Sequence, residues 1–207
     1  MPNRREEKDL LERAKQGDRE AVGGLLDQHR SRLRRMVVVR MDPRLGARVD
    51  PSDVIQETFV VAVDRLGDYL AQPSLPFYVW LRQIALGRLI DLHRRHLVAK
   101  RRNIDREEPL ELPDASAAEL AGQLAASAVE PLRRILREEV RARIHATIAR
   151  LGRTDREILV LRHLEELDLS HCAAVLGISE EAVRKRYLRA LAHIGRMLQE
   201  PGSGERP

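Results

Sequence analysis

Cysteine occurs once in this 207-residue chain, at Cys172, and aromatic side chains make up 3% of it. A lone thiol closes no intramolecular disulfide, so the fold must hold by packing and a reducing cytoplasm is the expected setting. Apolar runs are short as well. The longest, Phe59 to Val63 among them, are five residues, against the roughly 20 that a membrane-spanning helix requires. The opening MPNRREEKDL lacks the apolar stretch of a secretory signal. A Gly-rich phosphate loop, an H-E-x-x-H pair and a pair of cysteines for zinc are all missing. His93 and His96 stand three apart, but in the basic run HRRH, where phosphate contact or helix-dipole compensation is the simpler use. The chain is therefore expected to be no enzyme, to carry no cofactor or metal, and to take neither a membrane nor a small-molecule substrate as partner.

What the chain does have is charge. Lys and Arg number 37 and Asp and Glu 32, a net +5 spread unevenly. Residues 1–100 hold 19 basic and 14 acidic side chains, residues 101–140 hold 6 and 9, and residues 141–207 hold 12 and 9. Between Asp105 and Glu130 seven carboxylates face a single basic residue, Arg106. Two basic blocks around an acidic, proline-containing middle suggest two nucleic-acid-facing domains and a linker.

Nearly every segment carries helical periodicity, and none alternates as a strand. Residues 10–40 fit two amphipathic helices with a break near Gly23-Gly24, closed by Met41-Asp42-Pro43. A helix from Pro51 to Leu66 should bury Val54, Ile55, Phe59, Ala62, Val63 and Leu66, with Gly67 ending it. A loop over 67–76 leads to a helix from Phe77 to about His96. Ala115 to Ala128 gives a short Ala-rich helix with little to bury. Pro131 opens a helix to Leu151, and Thr154 with Glu157 forms a capping box for the next. The expected fold class is all-α: a helical bundle over 8–98, an acidic linker over 99–130, a second helical domain over 131–199, and a disordered tail over 200–207.

The strongest local pattern lies between Asp168 and Leu191. Asp168 caps a short helix containing Cys172 and Ala173, Gly177 ends it, and Ser179 caps a longer helix. Two unequal helices around a glycine turn make a helix-turn-helix. On the second helix Val183 and Tyr187 face inward. Glu180, Glu181, Arg184, Lys185 and Leu188 face outward, flanked by Arg186 and Arg189. Such a helix presents Arg and Lys to guanine edges in the major groove, while Glu accepts from cytosine amines.

Three ordered stretches together resemble the extracytoplasmic-function (ECF) sigma factors of bacterial RNA polymerase. DVIQETF (53–59) is similar to the family's D-x-x-Q-E-x-F helix, FYVWLRQIALGRLIDLHRR (77–95) to the helix that follows it, and the segment from Leu151 through Ile194 to its promoter-reading domain. The resemblance spans about residues 8–98 and 127–198. It implies that Asp53, Gln56 and Glu57 bind the core polymerase. It also implies that Ser179, Glu180, Glu181, Arg184, Lys185, Arg186 and Arg189 contact the −35 duplex, and that Asp68, Tyr69, Gln72, Arg82, Arg88, Arg94 and Arg95 contact the melted −10 element. Promoter DNA and core polymerase are the implied partners, with an anti-sigma factor a further one. Gly87 departs from the polar residue, often Asn, usual at its position, and Cys172 from an aliphatic one. The competing reading is a stand-alone helix-turn-helix regulator, dimerising through the Ala-rich 115–128 helix; it leaves DVIQETF without a role.

Overall fold

A computed structural model describes residues 4–46, 48–97, 112–128 and 134–199, all helices and short connections with no strand among them. The helix start expected at Pro131 and the tail expected over 200–207 lie outside the described residues. The chain divides into two compact units, Met1–Pro113 and Asp114–Pro207.

The first unit holds α1 (Arg4–Lys15), α2 (Arg19–Arg40), the single turn α3 (Pro43–Gly46), α4 (Pro51–Ala71) and α5 (Phe77–Leu97). Its first break falls at Gly17-Asp18 rather than at Gly23-Gly24. Gly17 takes φ +86, which an L side chain adopts only at a cost. Asp18 then caps α2 by accepting from the Glu20 and Ala21 amides at 2.9 and 3.1 Å, and its other oxygen accepts from Arg13 at 2.7 Å. A cap with two backbone donors outweighs the helix cost of two interior glycines, each about 1 kcal/mol or less.

Asp50 caps α4 through the Ser52 amide at 2.7 Å, with Pro51 at the first position. The helix does not stop at Gly67 but continues to Ala71. Tyr69 carries the buried stripe that includes Leu66 past the glycine, and its burial offsets the propensity lost there. Packed together, α2, α4 and α5 bury Leu25, Leu33, Met36, Ile55, Phe77, Tyr78 and Leu89. The His29 ring is buried with them, 5.5 Å from Phe77 and 5.8 Å from Tyr78.

The second unit begins earlier than the sequence indicates. Asp114–Ala128 forms α6 and buries Leu120, Ala121, Leu124 and Ala125. It packs on α7 (Arg134–Arg150), where Ile144 and Ile148 are fully buried. Small side chains let the two helices approach: a Cβ on Gly122 would lie 3.6 Å from the Arg141 guanidinium. The Ala-rich segment thus belongs to a domain core, and its apolar side is already covered within the unit. Only 98–113 connects α5 to α6, at most about 55 Å when extended.

After α7 come α8 (Arg153–Leu159), a π-helical turn (Val160–Leu164), α9 (Leu169–Leu176) and α10 (Glu180–Gln199). The expected Thr154–Glu157 capping box is not formed. Gly152 is the N-cap and contributes no side-chain bond, while Arg156 donates back to the Ala149 and Leu151 carbonyls and closes α7. Glu166 follows the π turn at φ +54, the left-handed region that favours glycine.

Candidate nucleic-acid and protein interfaces

On α4 the inward stripe is Val54, Ile55, Thr58, Ala62, Leu66 and Tyr69. Thr58 enters the core because its hydroxyl is satisfied, donating to the Val54 carbonyl at 2.6 Å. Phe59 and Val63, which the sequence assigns to the core, lie elsewhere. Phe59 is half-buried with the Arg30 guanidinium 4.8 Å from its ring, and Val63 is 51% exposed. The opposite side carries Asp53, Gln56 and Glu57, all exposed, and continues at helical spacing through Val60 and Val63. An acid–amide cluster running into bare valines is suited to a protein partner rather than to nucleic acid, because carboxylates repel phosphates and exposed aliphatic groups gain from burial.

Of the residues expected at the melted element, Asp68, Gln72, Arg94 and Arg95 are exposed. Two others are not presented to solvent. Tyr69 packs 4.7 Å from Trp80 in a stacked geometry and edge-on to Phe77, and its hydroxyl donates to the Leu75 carbonyl at 3.0 Å. Burial, with the Glu7 carboxylate adding to it, pushes the phenol up to about 12. Arg82 is 4% exposed. Position within α5 decides this: Arg82 stands between the buried Leu81 and the buried Ile84 and Ala85, on the inward-turning side of the helix. Arg88 is half-buried and pairs with Asp91 at 3.3 Å. Beside Gly87 no atom beyond its chain neighbours and the surrounding helix backbone lies within 4 Å of where a Cβ would be, so the missing side chain there is not a steric demand.

The helix-turn-helix forms as its caps dictate. The Asp168 carboxylate accepts from the His171 amide at 2.8 Å and the Ser170 hydroxyl at 2.7 Å, with the His171 ring 2.7 Å away. Burial disfavours its charge, but these bonds outweigh burial and hold the carboxyl well below the usual carboxylate range. Gly177 ends α9 in the left-handed conformation at φ +64. The Ser179 hydroxyl accepts from the Ala182 amide at 3.2 Å. Cys172 is fully buried, a small hydrophobe inside α9.

On α10, Val183, Ala190 and Ile194 anchor the helix. Tyr187 is half-buried, its hydroxyl 3.2 Å from His163 Nε2. Burial, with Arg162 nearby, lowers the proton affinity of that imidazole. Glu181 pairs with Lys185 at 2.7 Å, and Arg186 and Arg189 both pair with Asp155. Arg184 is exposed and carries no ion pair among the described residues. Leu188, on the same outward face, is 58% exposed. Sequence periodicity separates these faces but carries no signal for Asp155, which lies 31 residues before Arg186. Among the described residues no His, Cys, Asp and Glu cluster could hold a metal, and no helix is long and apolar enough to cross a membrane.

Comparison with known proteins matches both units separately. Residues 25–97 fit the Sigma-70 region 2 family model and residues 141–194 the Sigma-70, region 4 model. The RNA polymerase sigma-H factor of Pseudomonas aeruginosa is 30% identical over 96% of this chain and 97% of its own. The RNA polymerase sigma factor CnrH of Cupriavidus metallidurans is 31% identical over 91% of this chain and 92% of its own. A solved structure of CnrH in complex with the cytosolic domain of CnrY superposes with a TM-score of 0.52 at 28% identity, covering 94% of this chain and 97% of that one. With two helical units in the same order and relatives aligned along nearly their whole length, the chain belongs to the ECF sigma factors of bacterial RNA polymerase.

Proposed function

We propose that this sigma factor reads a promoter in two places, with α10 on the −35 duplex and the α4–α5 region on the melted −10 element, while α4 docks on the core polymerase. The observation that carries the reading is the division of labour between surfaces. The first unit presents Asp53, Gln56 and Glu57 beside exposed Val60 and Val63, and the second presents a capped helix-turn-helix with an outward basic helix. Coiled-coil ridges rich in arginine complement the first, and the major groove complements the second.

In this mechanism no covalent step is needed. Arg184 and Lys185, with Ser179, Glu180 and Glu181 at the start of α10, contact the upstream duplex. Melting costs about 1.4 kcal/mol per base-pair step, so unpaired bases must be held as they emerge. Asp68 and Gln72 offer hydrogen bonds to base edges, and Arg88, Arg94 and Arg95 offer charge to phosphates. Opening then draws on the binding energy of the whole holoenzyme, and the isolated protein binds promoters poorly. A protein that masks the α4 face is the complementary regulator, and the CnrH–CnrY complex of the related factor supports such a partner.

Runoff transcription with cognate core polymerase on a randomised promoter library tests the reading. Transcripts that depend on this protein and share two spaced motifs are expected, and charge reversal at Asp53 and Glu57 should weaken core binding with helix content unchanged. Core binding at the wild-type level by that double variant would overturn the assignment of α4. Selection of a palindromic duplex by the protein alone, without core binding, would replace the sigma mechanism with that of an ordinary regulator.

A further inference from the structure

One carboxylate in the second unit serves two of the arginines on α10. Asp155 Oδ1 accepts from Arg186 at 2.9 Å and from Arg189 at 3.1 Å, and Oδ2 accepts from Arg189 at 2.8 Å. The Asp155 side chain is 13% exposed, whereas those of Arg186 and Arg189 are 41% and 62% exposed. The acid is thus held in the unit and the two cations lie along its surface, three residues apart on one helix. Each guanidinium has five N–H donors in a rigid fork, so these contacts leave further donors of both directed at solvent. They flank the outward stripe of Arg184, Lys185 and Leu188.

A stabilising clamp between α8 and α10 is a poor account of this geometry. The helix is already anchored by Val183, Ala190 and Ile194, and with arginines 41% and 62% exposed the two pairs are partly screened by solvent, which reduces what they add to stability. The arrangement does more for recognition. It fixes two long side chains that would otherwise lose their rotamer freedom only on meeting DNA, and it cancels one of two positive charges beside the reading face. A free arginine binds any phosphate, and phosphate contact carries no sequence information.

We propose that Asp155 is a positioning residue for duplex reading: it holds Arg186 and Arg189 along the flank of α10 and so raises discrimination between the cognate upstream element and other DNA. The proposal rests on the reading that α10 binds duplex DNA, and its test separates the two. Holoenzyme made with wild type or with Asp155→Asn is titrated on the upstream element that wild-type holoenzyme selects and on a scrambled one, over a series of salt concentrations. The variant should bind scrambled DNA more tightly, its cognate-to-scrambled ratio falling about tenfold. Its salt dependence should steepen by about 0.9 in log–log slope for each additional phosphate that the released arginines neutralise.

A role confined to stability lowers the melting temperature and leaves ratio and slope where they were; that result, in a variant with wild-type helix content, overturns the proposal. Should Asp155→Asn lose its fold, the double variant Arg186→Gln/Arg189→Gln, altered at one half-buried and one exposed position, takes its place. Lacking both guanidinium groups, it should bind scrambled DNA no more tightly than wild type and the cognate element less tightly, and full discrimination without the two arginines overturns the proposal equally. If wild-type holoenzyme selects no upstream element at all, the DNA-reading role of α10 falls and the proposal with it. If wild type selects and the variants discriminate equally well, the proposal falls alone.

Discussion

Replacing Asp168 by alanine removes the cap of a helix only eight residues long. The carboxylate accepts from one backbone amide and one hydroxyl and contacts an imidazole, all within 2.8 Å. Alanine supplies none of these bonds, and the cap loss should cost about 1–2 kcal/mol, toward the upper end because the bonds are partly buried. For a domain of this size each kcal/mol moves the melting temperature about 4–8 °C, so a fall of roughly 4–16 °C is expected in the second unit. The two units can be told apart optically. Trp80, the sole tryptophan, stacks on Tyr69 in the first unit, so its fluorescence follows that unit while helical circular dichroism follows both. The dichroism transition of the second unit should drop and the Trp80 transition should stay in place. Asparagine, which also caps, should lose less. The acid limb supplies a second check. Because the folded carboxyl is held below its unfolded value, near 3.9, its contribution is complete above that value and is lost as pH falls through the folded one. The advantage of wild type over Asp168→Asn should therefore shrink below about pH 4. A dichroism transition unmoved by Asp168→Ala, or an advantage that grows with acidity, would refute the reasoning.

Glu166→Gly should stabilise the second unit by about 0.5–1 kcal/mol, since relief of the left-handed backbone, about 1–2 kcal/mol, exceeds the entropy glycine loses on folding; urea titration measures the sign. Leu120→Ala should cost about 2–4 kcal/mol and lower the dichroism transition of the second unit without touching Trp80 fluorescence; an unshifted transition would return α6 to the linker. Tyr69→Phe should cost about 1 kcal/mol in the Trp80 transition through the lost bond to Leu75 and leave runoff transcription at permissive temperature unchanged. Lost promoter opening at unchanged stability would instead place that hydroxyl on DNA.

The helix-turn-helix was legible because its determinants are local. Asp168, Gly177 and Ser179 act on backbone groups within a few residues, and those interactions are the same in any surroundings. The same holds for Asp50 and Pro51 at the start of α4, and for the exposure of Asp53, Gln56 and Glu57, which follows from helical spacing alone. Capping by Asp18 was equally local but was hidden by the more conspicuous Gly23-Gly24, whose helix cost is small beside a satisfied terminus.

Where two segments compete for the same surface, the sequence by itself does not decide. Val63 and Thr58 are both compatible with an inward position, and the hydrogen bond available to Thr58 together with the shape of α2 and α5 settled which entered the core. Tyr69 and Arg82 have polar tips that sequence reasoning sends toward DNA, yet their long apolar bodies fill the interior of the first unit. The Ala-rich segment has low intrinsic hydrophobicity, and it becomes a core helix only because α7 offers Ile144 and Ile148 at a distance small side chains can close. Asp155 meets Arg186 and Arg189 across more than 30 residues of chain, a contact set by the packing of α8 on α10. Backbone capping and helical period act over a few residues and so reside in the sequence; burial and long-range pairing depend on which surfaces the folded units bring together, and only the tertiary structure decided those.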